Sequence, residues 1–142
     1  MSEIKIIKIG IVKNKFSEKA DPLEMRKHKS KIIISNEYKE GLYRLNENSH
    51  ILVVFGFNKS EGFELKQWNY FNEYKGVFAT RSPRRPSQIA TTVVRVTKIK
   101  NNTIEVFGLD AINDSPVLDI KPYVSSLDEA NLEKEINEEN KN

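Results

Sequence analysis

The chain has 142 residues, 38% of them hydrophobic and 30% charged, with 6 Gly, 5 Pro and no Cys. That length suits one domain with one core, and the composition excludes collagen-like, low-complexity and wholly disordered classes. The lack of Cys excludes a disulfide framework, a thiolate zinc site and a cysteine nucleophile, and two His exclude a three-His metal site.

The net charge of +3 conceals an asymmetry. Residues 126–142 carry six acids (Asp128, Glu129, Glu133, Glu135, Glu138, Glu139) against Lys134 and Lys141, so residues 1–125 carry 21 bases against 14 acids. We therefore expect a basic folded domain over 1–125 and an acidic C-terminal helix or tail over 126–142. A basic body suits a polyanion such as RNA, and charge carried for solubility explains it equally well. No apolar run approaches the ~18 residues of a membrane span. The opening MSEIKIIKIG has no apolar h-region and no small-residue cleavage site. A soluble, cytoplasmic protein without a membrane partner is expected.

In chain order, Ile4–Val12 (IKIIKIGIV) is rich in β-branched residues and predicts the first strand. Lys13–Ser30 follows as a long loop holding Asp21-Pro22 and the basic run from Arg26 to Lys29. Lys31–Ser35 (KIIIS) predicts a second strand. Asn36–Leu45 predicts a short helix, with Asn36 as N-cap and Gly41 as a weak point. His50–Phe57 (HILVVFGF) is an apolar run of buried-strand length. Asn58–Lys75 is a loop bearing Trp68, Tyr70, Phe71 and Tyr74. Gly76–Ala79 predicts a short strand, and Thr80–Gln88 (TRSPRRPSQ) a loop. Ile89–Lys98 predicts a strand with Ala90, Thr92, Val94 and Val96 on one face. Thr103–Leu109 predicts its partner, reached through the tight reversal Asn101-Asn102. Ser126–Asn137 predicts a lightly docked helix with a capping box of Ser126 and Glu129. Recurrent strands separated by turns predict an all-β fold, a small barrel or sandwich, with a short helix and a C-terminal helix or tail.

Three stretches have the chemistry of a site. In Thr80–Gln88 two prolines stiffen a loop that bears Arg81, Arg84 and Arg85; a stiff loop loses less entropy when guanidinium forks grip phosphate or carboxylate. In Gly108–Tyr123 (GLDAINDSPVLDIKPY) Asp110 follows a strand, where it can accept from a ribose or an amine, and Asp119 lies beside Lys121 as a candidate partner. The acid spacing there matches no EF-hand loop. Arg26, Lys27 and His28 form the third stretch, which reads equally as an exposed basic loop. His50 opens an apolar strand and reads as a strand-start residue. The aromatic group at 68–74 reads as core, interface or base-stacking surface. No nucleophile elbow, P-loop, GxGxxG or HExxH is present.

The segments GVFATRSPxRP and GLDA…PVLDIKPY, within Gly76–Tyr123, resemble the TsaA-like (TrmO) family. The Ile9–Val12 strand and the block Glu37–Phe57 are similar to that family too, so the resemblance covers about residues 7–124. It implies a small β-barrel methyltransferase that uses S-adenosyl-L-methionine without a Rossmann sheet, works as a homodimer, and methylates threonylcarbamoyladenosine beside the anticodon of tRNA. Carried over, it assigns Arg81 a cofactor contact and gives Leu109, Asp110, Ala111 and Ile112 the segment that embraces the cofactor. Thr91 matches a pocket-lining position. Arg26 and Lys27 match loosely a Pro-Arg-Gln cofactor motif, and Asn58 and Lys59 fall where members carry His and a polar residue. In this reading Asp110 is the catalytic acceptor, with Asp119 second, and Arg84, Arg85 and Lys27 meet the RNA backbone. Two places depart from the family pattern. Ser87-Gln88-Ile89-Ala90 stands for Asn-Pro-Ile-Gly, and Asn113-Asp114-Ser115-Pro116 for Asp-Gly-Thr-Pro. The alternatives are a non-catalytic RNA-binding barrel and a methyltransferase for another small molecule or nucleoside.

Overall fold

The computed structural model describes residues 2–141. Six strands close into an antiparallel barrel. Around it run β1 (Gly10–Lys13), β2 (Lys29–Ile34), β7 (Thr103–Phe107), β6 (Ile89–Lys100), β3 (His50–Gly56) and β8 (Pro116–Pro122), and β8 returns to β1. A separate two-stranded hairpin, β4 (Lys66–Trp68) and β5 (Tyr74–Gly76), lies within the β3–β6 connection.

The core follows from alternation along the strands. Val12, Ile32, Ile34, Ile51, Val53, Phe55, Val94, Ile104, Val106 and Val117 point inward and are almost wholly buried. Each contributes about 1.5–3 kcal/mol by leaving water. On β6 the inward face is the expected one: Thr92 and Val94 are buried, and Ala90 and Val96 pack against the core. Between Val96 and Lys98 the register slips by one residue against β7. Thr97, the extra residue, donates its hydroxyl to the Glu105 carbonyl at 3.0 Å and carboxylate at 2.9 Å. The β6–β7 reversal is made at Asn101-Asn102, with Asn101 at φ 54°.

Several predicted elements are corrected. The first strand begins only at Gly10, where β2 ends opposite it at Ile34; Ile4–Lys8 pair with neither β2 nor the continuing β8, and Ile4 is 90% exposed. The expected helix at 36–45 is two 3₁₀ stretches, Asn36–Leu42 and Leu45–Glu47. The N-cap position of the first belongs to Ser35, so Asn36 caps nothing. Residues 76–79 are no strand: β5 ends at Gly76 and Val77–Ala79 is a 3₁₀ turn. There Val77 is buried and its N–H bonds the Leu65 carbonyl at 2.8 Å. The long 13–30 loop contains α1 (Pro22–Met25), capped by Asp21 accepting from the Leu23 N–H, with Pro22 in the first turn.

Strand β8 and the β4–β5 hairpin lay in stretches with no predicted strand. The C-terminal helix is two: α2 (Ser125–Asp128) and α3 (Leu132–Asn140). The Ser126–Glu129 capping box does not form. Asp128 accepts from the Val124 N–H at 2.7 Å, and Asn131 caps the second helix through the Lys134 N–H at 3.0 Å. Neither helix buries a residue. No helix among the described residues is long and apolar enough to cross a membrane.

Antiparallel closure sorts the connections. Segments 14–28, 57–88 and 108–115 all leave one end of the barrel, while the β2–β3 link, the Asn101-Asn102 turn and the exit of β8 occupy the other. Every residue singled out for cofactor or RNA lies in the first set of loops or at the adjoining start of β6.

Candidate functional site

Residues 108–115 cross this end of the barrel and seal it with Leu109 and Ala111, both almost fully buried. The segment begins at Gly108, whose φ of 103° suits glycine alone, and the Gly108 N–H bonds the His28 carbonyl at 3.2 Å. It ends at Asp114, whose φ of 70° shows that an Asp serves in the turn where the family carries Gly. Asn14 fastens the crossing. Its side-chain amide donates to the Ser30 hydroxyl at 3.0 Å and the Ala111 carbonyl at 2.9 Å, and its oxygen accepts from the Phe16 N–H at 3.0 Å.

Asp110 is the centre of the arrangement. Its side chain is 14% exposed and receives two bonds from Arg26 on Oδ2, from Nε at 3.0 Å and Nη2 at 2.6 Å. The buried Thr92 hydroxyl donates to Oδ1 at 2.6 Å. An ionised carboxylate has about four acceptor sites, so these three bonds leave one on Oδ1. A guanidinium from the 14–28 loop, a hydroxyl from β6 and a carboxylate from the 108–115 segment are thus locked together.

Arg81 anchors the proline-stiffened loop to the next residue of β6, donating to the Thr91 carbonyl and hydroxyl. Thr91 and Thr92 are consecutive, so their side chains leave opposite faces of the strand. The arginine loop and Asp110 therefore converge on β6 from its two sides. Arg85 spends one guanidinium nitrogen on its own loop, bonding the Thr80 and Ser82 carbonyls at 3.0 and 3.2 Å. Arg84 is exposed and has no side-chain partner among the described residues. Its carbonyl accepts from Gln67 at 2.9 Å, which ties the β4–β5 hairpin to the loop.

Lys27 is exposed and pairs with Glu24 at 3.5 Å. The bonds from His28 and Lys27 hold the Glu24 carboxyl below its ordinary value. Asn58 and Lys59 occupy an exposed turn braced by Gln88, whose amide donates to the Phe57 carbonyl at 3.0 Å and to that of Ser60. Gln88, a departure from the family pattern, is thus a structural brace here, and Ala90 sits in ordinary strand backbone without a positive φ. Lys59 lies close enough to Asp114 to add to the lowering of its carboxyl, which is led by the hydrogen bond from Lys13. Ile112 is half-buried, and its carbonyl accepts from the Ser115 hydroxyl at 2.7 Å. Asp119 stands apart on β8, half exposed and paired with Lys121 at 2.9 Å. His50 is a strand-start residue with its ring against the Ser49 hydroxyl.

The aromatics at 68–74 are not core: Trp68, Tyr70, Phe71 and Tyr74 are each more than half exposed. Tyr70 donates to Asp21, the cap of α1, at 3.2 Å, so the hairpin tip rests beside the loop that bears Arg26. Sequence reasoning passed over Asn14, Gln67 and Thr92 as site-building residues. Their partners lie 16 to 97 residues away in the chain, and no local spacing signals such pairs.

The family profile described as the tRNA-methyltransferase O N-terminal domain matches residues 11–129. A probable S-adenosyl-L-methionine-binding protein of Pyrococcus abyssi is 37% identical over 125 residues, covering 84% of this chain and 68% of that protein. The human tRNA (adenine(37)-N6)-methyltransferase is 38% identical over 99 residues, covering 67% of this chain and 22% of the enzyme. The crystal structure of TrmO from Pseudomonas aeruginosa superposes with a TM-score of 0.73 at 29% identity, covering 91% of this chain and 60% of that one. The chain thus spans about three-fifths of the solved TrmO chain and under a quarter of the human enzyme.

Proposed function

The chain belongs to the tRNA-methyltransferase O N-terminal domain family, and from that premise we propose that it is an S-adenosyl-L-methionine-dependent methyltransferase acting on tRNA. Its relatives carry the names S-adenosyl-L-methionine-binding protein and tRNA (adenine(37)-N6)-methyltransferase. The finer reading is that the acceptor is the exocyclic nitrogen of threonylcarbamoyladenosine beside the anticodon. The observation that carries the proposal is the joining of Arg26, Asp110 and Thr92, with Arg81 on Thr91, at the one barrel end where the long loops gather.

The donor set suits such a cofactor. An amino-acid carboxylate calls for a guanidinium, supplied by Arg26 or Arg81. The one lone pair that Asp110 keeps can serve a cofactor ribose hydroxyl or the substrate N–H, and this reading gives it to the substrate. In this reading the backbone of Leu109, Ala111 and Ile112 borders the cofactor, and Thr91, Lys27, Asn58 and Lys59 are assigned to its rim. When bound, the cofactor supplies an electrophilic methyl on a sulfonium that is its own leaving group. What the chain must add is alignment. In this reading Asp110 accepts a hydrogen bond from the substrate N–H at its open Oδ1 position and turns the nitrogen lone pair toward the methyl. As the C–N bond formed the nitrogen would become acidic, and its proton would pass along that hydrogen bond to Asp110 Oδ1 and on to water. Arg84, with its guanidinium unspent, is the foremost phosphate contact of the arginine loop, and Lys27 a second. Arg85, half engaged with its own loop, serves first to shape it.

The homodimer reading draws support from the number of exposed large apolar side chains in the 57–88 segment, Phe63, Leu65, Trp68, Phe71 and Phe78. The test is calorimetric titration with S-adenosyl-L-methionine, followed by mass spectrometry of tRNA incubated with protein and cofactor. Saturable heat, weakened about tenfold or more in Arg81→Ala, together with a mass gain of one methyl on tRNA, is expected. No heat at millimolar cofactor with tRNA binding intact points instead to a non-catalytic RNA-binding barrel. Heat without a methyl on tRNA points to another substrate.

A further inference from the structure

Resting on the tRNA reading above, we propose that the outer face of β1, β2, β7 and β6 is a docking surface for the RNA phosphate backbone, separate from the loops at the barrel end. Pairing places Lys13 opposite Lys31, Lys31 opposite Glu105, and Glu105 opposite Lys98. Lys31 and Glu105 each lie between two buried residues, and Lys13 and Lys98 are exposed on the same outer face. Four adjacent strands thus carry a row of three lysines and one glutamate, about 14 Å long at the usual strand spacing. Arg95, stacked 5.3 Å over the Phe107 ring, and Lys29 form the next row, and Lys100 stands beyond Lys98.

Two facts set this face apart from a merely solvated one. First, Lys13 and Lys31 are like charges directly opposite each other, an arrangement that destabilises a sheet. Asp114 offsets the Lys13 charge from one side, and a polyanion lying across the row would offset that of Lys31. Second, the carboxylates present are already engaged. Asp114 holds Lys13 at 2.5 Å, and Glu105 takes Lys29 at 3.2 Å and the Thr97 hydroxyl. Lys31, Lys98 and Lys100 make no direct ion pair among the described residues, Lys98 acting on Glu105 only at longer range. The charge is also segregated. The outer positions of β3 and β8 are His50, Leu52, Val54 and the self-neutralising pair Asp119–Lys121, with Val93 of β6 beside Leu52, while the outer face of β1 and β2 also carries the apolar pair Ile11 and Ile33. Charge spread for solubility needs no such division.

The test is filter binding of an unmodified tRNA transcript from about 50 to 300 mM salt, with duplex DNA of similar length as a second arm. Wild type is compared with a triple variant, Lys31→Gln, Lys98→Gln and Lys100→Gln. Each lost phosphate contact removes close to one unit from the slope of log K against log salt. A drop of two to three units on tRNA is expected, with the heat of cofactor binding unchanged. The melting temperature of Lys31→Gln alone is expected at or above that of wild type, because the like-charge pair is removed. An unchanged slope in the triple variant overturns the proposal and leaves the tRNA reading standing, as does a loss confined to DNA. A wild-type chain that binds cofactor but no tRNA at 50 mM salt overturns both.

Discussion

Breaking the Arg26–Asp110 pair is the sharpest test of how the site end is held. The two groups lie 84 residues apart in sequence, and their bonds tie the segment after α1 to the one that seals the barrel. A fully exposed ion pair contributes about 0.2–1 kcal/mol. A hydrogen bond to a charged group contributes about 1.5–3 kcal/mol when well desolvated. Here the carboxylate is 14% exposed and the guanidinium 47%, so solvent screens one partner and not the other. The coupling should fall between those limits, at ~1–1.5 kcal/mol. Arg26→Ala should cost more than the coupling itself, ~2 kcal/mol, because it leaves a mostly buried carboxylate with Thr92 as its remaining donor. Asp110→Asn should cost ~1.5 kcal/mol, since its amide oxygen can still accept from Thr92 while its NH₂ turns a donor toward Arg26. For a chain of this size 1 kcal/mol moves the melting point by roughly 3–4 °C. The assay is a double-mutant cycle by urea unfolding, with m-values checked for constancy. A coupling energy below ~0.3 kcal/mol would show the pair to be a surface contact and would refute the claim that Asp110 is held in place by Arg26.

Two further outcomes follow from the bonds at and near this end. Asn14→Ala removes the donor to Ser30 and to the Ala111 carbonyl, both at buried residues, and should destabilise by ~2 kcal/mol; a denaturation midpoint within error of wild type would show that water replaces the amide. Acid should also weaken the fold through Glu105, whose carboxyl is held below its ordinary 4.5 first by the Thr97 hydroxyl and then by Lys29. The folded state binds that proton less readily than the unfolded chain does. Its contribution is therefore complete above pH 4.5 and is lost as the pH falls through the lowered value. Melting temperature followed downward from about pH 6 should decline less steeply in Glu105→Gln; parallel curves would remove Glu105 from the acid response.

Local patterns were enough for the elements whose neighbours in sequence are also neighbours in space. The β6–β7 hairpin could be read from two strand patterns and an Asn-Asn reversal, and β3 from its unbroken apolar run, because each signal is complete within ten or so residues. The family resemblance pointed to the barrel, and the structure bears it out. The expectation failed where an element owes its form to distant chain. Pro116–Pro122 has a proline at each end and two ladders, a short one with β1 and a longer one with β3, and proline argues against a central strand when read alone. The segment Ile4–Lys8 has every mark of a strand, yet it pairs with neither β2, which ends opposite Gly10, nor β8. Residues 36–45 could not complete an α-helix along the rim, and the C-terminal helix split where Asn131 offered a better cap than Ser126.

The site divides in the same way. Residue types alone pointed to the arginine loop and to Asp110, since clustered guanidinium groups and a strand-end carboxylate have limited uses. Only the closed barrel decided that Arg85 would turn back on its own carbonyls while Arg84 stayed free, and that Asp110 would be claimed by Arg26 and Thr92. It also set the like-charged register of Lys13 and Lys31. Side-chain chemistry is a property of each residue, but which charges meet is settled by strand order and register, and those depend on contacts tens of residues apart.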